Sequence, residues 1–351
     1  MKQVRLHLLF FVVMLLFLFP ACEKNETGHG ADDTNSSTTA VKSSSATSTS
    51  STVTPGATRP RGMVGKNRRI AFSFGSTGRK DGQFIYARGI DADPVRKRIY
   101  ILDRTGRLQL FDDNGNYIAT WYMPKFEYGY ATGISVEPGS GNVYVADTHN
   151  NRVVVFSPKG EVLKMFGKYG KGPGEFIYPT DVAFNSDGRI YVSEYGGNDR
   201  VQIFDSEGGY LGQFGHFGHL EDDNESFSRP QSLYFDDEAK ELWVADSCNH
   251  RIMIYSEDGE FRRSIGTYGT EVGKFCYDYG LYALEDGSIL VAEFGNNRFQ
   301  RIDRAGHSLE ILGKYGEEPG EFHTPWSMTM IGSRLYLLDS GNNRVQVIDW
   351  K

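Results

Sequence analysis

Short apolar segments separated by turns rich in Gly and Asp recur through most of the chain. Gly and Asp favour the positive φ angles that tight hairpin turns require. In one unit, four segments have the length and composition of β-strands, namely residues 181–184, 190–193, 201–205 and 210–214. This unit is therefore predicted to be one antiparallel sheet of four strands.

One polar pattern occurs five times at nearly even spacing. Each copy has an apolar strand, an acid, a short loop, an Asn, one further residue, an Arg and a second apolar strand. Successive arginines are 46 to 51 residues apart, a period typical of four-stranded propeller blades. A sixth copy, at residues 99–111, has a shorter loop without the Asn. The acids and arginines are Asp147 and Arg152, Glu194 and Arg200, Asp246 and Arg251, Glu293 and Arg298, and Asp339 and Arg344.

The number of strands predicts how the ring of units closes. The last unit has only three strands before the chain ends at Lys351, whereas an additional strand-like segment, residues 69–75, precedes the first unit. This segment matches the outer strands of the other units, so it should complete the last blade. The predicted fold is all-β, a six-bladed β-propeller of four-stranded antiparallel blades that is closed by the N-terminal strand 69–75.

The linkers between units carry a second repeated motif. The sequence Gly-Pro-Gly-Glu-Phe-x-x-Pro spans residues 172–179, and Glu-Pro-Gly-Glu-Phe-x-x-Pro spans residues 318–325. Together with the acid, Asn and Arg pattern, these motifs resemble the NHL-repeat family over residues 67–351. The resemblance implies a propeller fold, but it does not imply one activity, because propellers carry unrelated functions.

The N-terminus predicts export and a lipid anchor. Lys2 and Arg5 precede an uncharged apolar run, residues 8–19, that is shorter than the roughly 20 residues of a spanning helix. Residues 1–21 are therefore predicted to be a signal peptide. Ala21 before Cys22 resembles the bacterial lipoprotein signal, which implies lipidation of Cys22; a plain cleaved signal is the alternative.

Residues 22–66 are predicted to form a disordered tether after the anchor. They are dominated by Ser, Thr, Gly and Ala and lack the apolar residues that would offset the entropy of ordering. In the lipoprotein resemblance, Glu23 favours the outer membrane of a Gram-negative cell. We therefore expect a propeller, residues 67–351, held at the bacterial cell envelope and facing the periplasm or the exterior.

Charge and cysteine content narrow the choice of partners. A net charge of −7 argues against a nucleic-acid partner, which requires clustered Lys and Arg. The absence of a Cys-x-x-Cys motif gives no support to a zinc knuckle or a thioredoxin-type site. Cys248 and Cys276 fall on loops of adjacent blades, where they either form a disulfide or remain two unpaired thiols.

Repetition separates structural positions from candidate binding positions. The acid, Asn and Arg recur in nearly every unit, so they are predicted to cap the loop and tie it to a neighbouring blade. A binding site is expected to be asymmetric. The residue that follows the linker proline, or its equivalent, differs in almost every unit and should lie at the channel mouth. These candidate ligand-binding residues are Arg88, Thr132, Thr180, Gln231, Tyr279 and Trp326; alternatively, they only fill the mouth.

Two related groups of propeller enzymes suggest a metal-dependent alternative. Resemblance to peptidyl-hydroxyglycine lyase propellers implies a channel zinc held by histidines, but none of the six mouth positions is His. Resemblance to gluconolactonase-like propellers implies a channel calcium held by acids and Asn. Asp181 is the one acid at an inner-strand start, with Asp278 nearby, so it is only a weak metal candidate.

The sequence therefore favours a binding module over an enzyme, and no cofactor is predicted. The expected ligand is a protein, a peptide or a glycan on the loop face near Arg88, Tyr279 and Trp326, because aromatic residues and Arg dominate interface hot spots. The competing hypothesis is a zinc- or calcium-dependent lyase or hydrolase in the central channel.

Overall fold

A computed structural model describes residues 68–125, 130–219, 223 and 225–350. These residues belong to one compact unit, residues 59–351. The predicted signal peptide, Cys22 and the whole of the tether lie outside the described residues. Within the described part of the chain, no helix is long and apolar enough to cross a bilayer.

The described residues form six antiparallel sheets of four strands, which confirms the predicted six-bladed β-propeller. Strand β1 (Ile70–Phe74) precedes the first blade. Blade 1 contains β2 (Ala87–Asp93), β3 (Arg98–Asp103), β4 (Arg107–Asp112) and β5 (Tyr117–Tyr122). Blade 2 contains β6 (Ile134–Val136), β7 (Val143–Asp147), β8 (Arg152–Phe156) and β9 (Val162–Phe166), with a short 3₁₀ helix, Thr148–Asn150, between β7 and β8. Blade 3 contains β10 (Tyr178–Phe184), β11 (Ile190–Tyr195), β12 (Arg200–Phe204) and β13 (Tyr210–Phe214).

The linker after blade 3 contains a small parallel pair, β14 (His216–Phe217) and β15 (Ser226–Phe227). Blade 4 contains β16 (Pro230–Asp236), β17 (Glu241–Asp246), β18 (Arg251–Ser256) and β19 (Phe261–Ile265). Blade 5 contains β20 (Asp278–Ala283), β21 (Ile289–Glu293), β22 (Arg298–Ile302) and β23 (Ser308–Leu312). Blade 6 contains β24 (Met328–Ile331), β25 (Arg334–Asp339) and β26 (Arg344–Asp349).

Strand β1 is the fourth strand of blade 6. It pairs antiparallel with β26, with Ile70 opposite Ile348 and Phe74 opposite Val345. The Phe74 ring also lies 5.0 Å from the ring of Phe111 in blade 1. The two ends of the ring are therefore joined by both a hydrogen-bonded ladder and apolar packing.

The apolar core is divided among the spaces between neighbouring blades. One buried cluster joins blades 1 and 2 around Leu102 and Val145, and another joins blades 6 and 1 around Val347 and Ile99. Equivalent clusters join the other four pairs of neighbours. Each blade thus buries both of its faces, and these interfaces hold the inner strands around a central channel.

The repeated acid and Arg form buried ion pairs inside each blade. Arg200 Nε lies 2.6 Å from Glu194 Oε1, and the same guanidinium donates to the carbonyl oxygens of Gly172 and Glu175. The Arg therefore fixes the linker that enters its own blade. The structural role predicted for the repeated acid and Arg is consistent with these contacts. The Arg, however, binds the linker into its own blade, whereas the sequence predicted a contact with a neighbouring blade. Asp103 and Arg107 form the equivalent pair in blade 1, where the shorter loop concealed it in the sequence.

The inner strands are linked around the channel by polar side chains of their neighbours. Each inner strand pairs with only one strand of its own sheet, so its other edge faces the channel. Asp91 of blade 1 accepts the Val136 N–H of blade 2 at 2.7 Å and the Thr329 hydroxyl of blade 6 at 3.0 Å. The remaining links join Ser135 to Val182, Asp181 to Leu233, Ser232 to Leu281, and Tyr282 to the backbone of Met330. We refer to these contacts as the channel belt.

The two carboxyls of the channel belt titrate well above the ordinary range of Asp. Burial raises the pKa of Asp91 to about 6 and that of Asp181 to about 7, against the hydrogen bonds that lower both values. Burial disfavours the charged form of a carboxyl, and neither carboxyl forms an ion pair with the cations of the described chain.

The Cys248–Cys276 disulfide that the sequence allowed is not formed, since Cys276 is a free thiol. Its sulfur lies against Gly295 in the loop of its own blade, where an added Cβ would be only 2.4 Å away. Burial, with the nearby acids Glu293 and Asp278, raises the pKa of the Cys276 thiol to about 11, so the thiol is protonated at neutral pH.

The belt predicts that the fold is more stable in mild acid. A carboxyl with a higher pKa in the native state binds more protons there, so the free energy of unfolding falls as pH rises from the unfolded to the native pKa. For Asp181 this window runs from about 4 to about 7. Asp181→Asn, which retains an acceptor for Leu233 N–H, should raise the free energy of unfolding at pH 8 by roughly 2–4 kcal/mol and leave it nearly unchanged at pH 4.

Urea unfolding at both pH values measures this difference. The exposed turn substitution Asp187→Asn is the matched control and should shift stability equally at pH 4 and pH 8. An Asp181→Asn protein with the same pH dependence as the wild type would contradict the prediction.

Candidate functional site

The six residues that the sequence placed at the channel mouth do line one cavity. This cavity has a volume of about 180 Å³ and is bordered by the inner strands of all six blades. We call these residues the mouth ring: Arg88, Thr132, Thr180, Gln231, Tyr279 and Trp326.

A β-bulge near the start of the inner strand positions most of the mouth ring. In blade 1 the pairing register shifts between Ala87 and Gly89, so Arg88 has no direct partner on β3. The same shift occurs around Thr180, Gln231 and Tyr279. A bulged residue is released from the ladder and its side chain is redirected, which is a frequent arrangement beside functional sites.

The two threonines of the mouth ring each form a hydrogen bond to the next blade. The Thr132 hydroxyl donates to the Thr180 carbonyl oxygen at 3.1 Å, and the Thr180 hydroxyl donates to the Pro230 carbonyl oxygen at 2.6 Å. Gln231 Oε1 accepts from Arg229 Nε at 3.2 Å. These three side chains are oriented by contacts within the protein and form one side of the mouth.

The aromatic members of the mouth ring form its opposite wall. Trp326 and Tyr279 are each only 5% exposed, and their ring centroids are 4.8 Å apart in an edge arrangement. Phe294 stacks on Tyr279 at 4.6 Å. Because both mouth aromatics belong to the apolar core, removing either one would destabilise the fold as well as change the mouth.

A second set of residues, which sequence reasoning missed, surrounds the mouth. These residues lie two positions before the mouth ring in each unit, and each is partly exposed. The same alignment that gave the mouth ring contains them. We call them the collar: Tyr86, Tyr130, Tyr178, Arg229, Tyr277 and Thr324.

Loops of the preceding blade hold the collar in place. For four collar residues, the residue between the repeated Asn and Arg accepts the backbone N–H of the next collar residue. Asn343 accepts from Tyr86 at 2.6 Å, and Asn297 accepts from Thr324 at 2.8 Å. Asp199 and His250 serve Arg229 and Tyr277 in the same way.

Four collar residues have left-handed backbone angles, with φ between 45° and 60°. Non-glycine residues rarely adopt such angles, and Thr324 is β-branched, which makes its conformation more costly. Loop contacts from the preceding blade maintain these conformations. Burial lowers the pKa of the accepting His250 to about 4, which keeps this imidazole neutral and able to accept.

Three arginines converge at the mouth. The Arg88 guanidinium lies 5.2 to 5.9 Å from the ring centroids of Tyr86, Tyr130 and Trp326. Arg104 lies over Tyr130 at 4.5 Å, and Arg229 lies over Tyr279 at 5.5 Å. Burial, with Arg104 and Arg229 nearby, lowers the pKa of Arg88 to about 10, so Arg88 remains charged at neutral pH.

Aromatic rings connect the mouth to the exposed surface. Successive ring contacts run from Trp326 through Tyr279 and Tyr277 to His250. The ring centroid of His250 is 4.8 Å from that of Tyr277 and 4.8 Å from that of Tyr268. Tyr268 is 64% exposed. Equivalent exposed tyrosines, 67 to 73% exposed, occupy two other linkers, at Tyr169 and Tyr315. The face therefore offers an aromatic surface that leads into the channel.

The acids near the mouth do not form a metal site. Asp181 lines the cavity but accepts from Leu233 N–H in the channel belt, and Asp91 has an equivalent role. Asp278 is the first residue of β20 and does not border the cavity. Burial raises the pKa of Asp278 well above its usual range. Among the described residues, no three His, Cys, Asp or Glu side chains are grouped to hold an ion.

The donor set of the mouth ring does not fit zinc or calcium. Zinc sites in proteins use His, Cys or carboxylate ligands, and calcium sites use several oxygens that include carboxylates. The mouth ring instead supplies one guanidinium, two engaged hydroxyls, one amide and two aromatic rings. A cation placed there would be repelled by Arg88.

Comparisons with known proteins agree with this architecture. Residues 134–213 match a family described as 6-bladed beta-propeller, and residues 227–255 match the NHL repeat. Human NHL repeat-containing protein 3 is 33% identical over 121 residues, which cover 33% of this chain and 32% of that protein. Mouse peptidyl-glycine alpha-amidating monooxygenase is 27% identical over 218 residues, 59% of this chain and 21% of that protein. The chain thus spans less than a third of the length of these two relatives.

Solved structures resemble the fold at low sequence identity. A gluconolactonase from Xanthomonas campestris gives a TM-score of 0.61 at 13% identity, covering 83% of this chain and 95% of that chain. A streptogramin B lyase gives a TM-score of 0.58 at 13% identity, covering 79% of this chain and 96% of that chain. Likeness at this identity concerns the fold alone. This chain therefore contains sequence that matches the NHL repeat, and its described residues close a ring of six β-propeller blades.

Proposed function

We propose that this protein is a binding module that takes a protein, peptide or glycan ligand on the face formed by the mouth ring and the collar. The observation that carries the proposal is the asymmetry of this face. A repeating scaffold presents six mouth residues of five different types around one cavity. Exposed tyrosines extend the contact surface outward, and Tyr, Trp and Arg are the residue types that contribute most to binding hot spots.

The exposed tyrosines provide a test that leaves the core intact. Replacing Tyr169, Tyr268 and Tyr315 together by Ser should reduce ligand binding about tenfold or more, because planar aromatic contact area is lost from the face. The measurement uses glycan and peptide arrays probed with fluorescently labelled full-length protein. Thermal denaturation should show little loss of stability, since all three side chains are mostly exposed.

Tyr210→Ser is the control for this experiment. Tyr210 starts the outer strand of blade 3 and pairs with Phe204, at the end of the blade remote from the mouth. This substitution should leave the array signals unchanged. Equal losses of array binding in the control and in the triple variant would contradict the proposed binding face.

We further propose that the propeller is tethered to the bacterial outer membrane through lipidated Cys22. The proposal rests on the sequence of residues 1–23 and on the Ser- and Thr-rich segment that follows them. Cys22→Ser should move the protein from the membrane fraction to the soluble fraction after expression in a Gram-negative host. Cys276→Ser is the matched control and should remain with the membrane. Unchanged fractionation of Cys22→Ser would contradict the lipid anchor.

A metal-dependent lyase or hydrolase is the competing function that the sequence left open, and the name of one matching protein is that of a probable amidating lyase. The mouth ring lacks the ligands for it, so the binding proposal makes an opposite prediction. Treatment of the full-length protein with a chelator should leave both its melting temperature and its array signals unchanged. Elemental analysis by mass spectrometry should find less than one zinc or calcium per chain. One equivalent of either metal, together with a lower melting temperature after chelation, would favour the enzymatic alternative.

A further inference from the structure

Arg88 differs from the arginines of the repeat position in having no anionic partner within the described chain. In all six blades the arginine of the repeat position pairs with a carboxylate of its own loop. The nitrogen and oxygen of the pair are 2.6 Å apart in blade 3 and 2.9 Å apart in blade 4. Arg88 is only 7% exposed, and its Nε has no hydrogen-bond partner in the described chain. Arg104 Nε, also at the mouth, lacks a hydrogen-bond partner as well, but Arg104 is more exposed than Arg88. The repeat arginines therefore show the carboxylate pairing that Arg88 lacks.

Burial of an unpaired cation is costly. Transfer of a charged group from water is strongly unfavourable unless hydrogen bonds or an opposite charge compensate for it. The aromatic rings around Arg88 supply a cation–π contribution, which is smaller than that of a carboxylate partner. Arg104 and Arg229 add repulsion and lower the Arg88 pKa further. The Asp199 carboxylate accepts the backbone N–H of Arg229 and raises the pKa of Arg229. Asp199 is not among the main groups that shift the pKa of Arg88.

The missing partner can come from a ligand, because Arg88 borders the cavity at the mouth. The planar fork of a guanidinium matches a carboxylate through two parallel hydrogen bonds. Flat aromatic side chains, Trp326 and Tyr279, border the same cavity and favour a ligand with a flat face.

We propose that Arg88 and the aromatic wall of the mouth bind a carboxylate carried on a six-membered ring. This inference rests on the proposed function, and it specifies the chemistry of the ligand group that enters the channel. The carboxylate lies on Arg88 and the ring lies against Trp326 and Tyr279. A sugar acid and an aromatic acid share this chemistry.

Direct titration of the full-length protein distinguishes the two sources. Calorimetry with glucuronate and with benzoate should detect binding of at least one of them. The neutral partners glucose and benzamide should bind at least about tenfold more weakly, because charge-assisted hydrogen bonds are lost. Binding of glucuronate alone assigns a sugar acid, and binding of benzoate alone assigns an aromatic acid. Tighter binding of inorganic phosphate than of either carboxylate would overturn the proposal.

Substitution of Arg88 separates a binding role from a structural one. Arg88→Met removes the charge while keeping most of the volume, so carboxylate binding should fall at least about tenfold while the melting temperature stays equal or rises. Arg88→Lys keeps the charge without the fork and should bind with intermediate affinity. Arg79→Met, at an exposed position of the linker into blade 1, is the control and should bind like the wild type.

A lower melting temperature of Arg88→Met with unchanged carboxylate affinity would overturn the proposal in favour of a structural role. Equal affinity for the charged and neutral members of each pair would overturn it as well. Neither outcome affects the binding module, which is decided separately by the tyrosine variants on the arrays. Loss of array binding in those variants with no preference for carboxylate would therefore leave the proposed function standing without this inference.

Discussion

The structure depends on how the free edges of its inner strands are satisfied. Each inner strand pairs with one neighbour of its sheet and presents its other edge to the channel. Unsatisfied backbone groups would be costly there, so side chains of adjacent blades supply the hydrogen bonds. The close approach needs small residues, and a Cβ at Gly133 would lie 2.2 Å from the Thr180 carbonyl oxygen. The belt therefore fixes the channel width and uses the polar groups of Asp91 and Asp181 for structure, at the expense of a raised pKa for both.

The same dependence between neighbours extends to the binding face. Each of four collar residues belongs to one blade, while a loop of the blade before accepts its backbone N–H group. The acid and Arg of each repeat in turn fix the linker that leads into the collar. The face is thus built from contacts between successive units, and nearest-neighbour contacts are also what stabilise repeat proteins generally. Rigidity of the collar follows from the fold, without any element dedicated to it.

Sequence reasoning recovered the fold and the mouth ring for the same physical reason. A repeat makes equivalent positions comparable, so Arg88 and Trp326 could be aligned without coordinates, and both border the cavity. The register shift that releases Arg88 from its ladder has no signature in the sequence. Collar residues were overlooked because four tyrosines at one offset look like core positions. Cys276 could be placed on the correct loop, but the direction of its sulfur, toward Gly295, depends on packing that the pattern does not encode.

Polar groups that repeat from blade to blade and polar groups that do not repeat have different roles in this molecule. Those that repeat are paired within the chain: the arginines with acids, the asparagines with loop groups, and the inner-strand polar side chains with backbone. The mouth ring does not repeat, and the Nε of its one cation, Arg88, has no hydrogen-bond partner in the described chain. Substitution of Arg88 should therefore disturb few contacts that close the ring, whereas the threonines and aromatic residues of the mouth take part in its hydrogen bonds and its core. A propeller built this way can change an unpaired polar residue at its mouth while keeping its fold, and one architecture can carry unrelated functions.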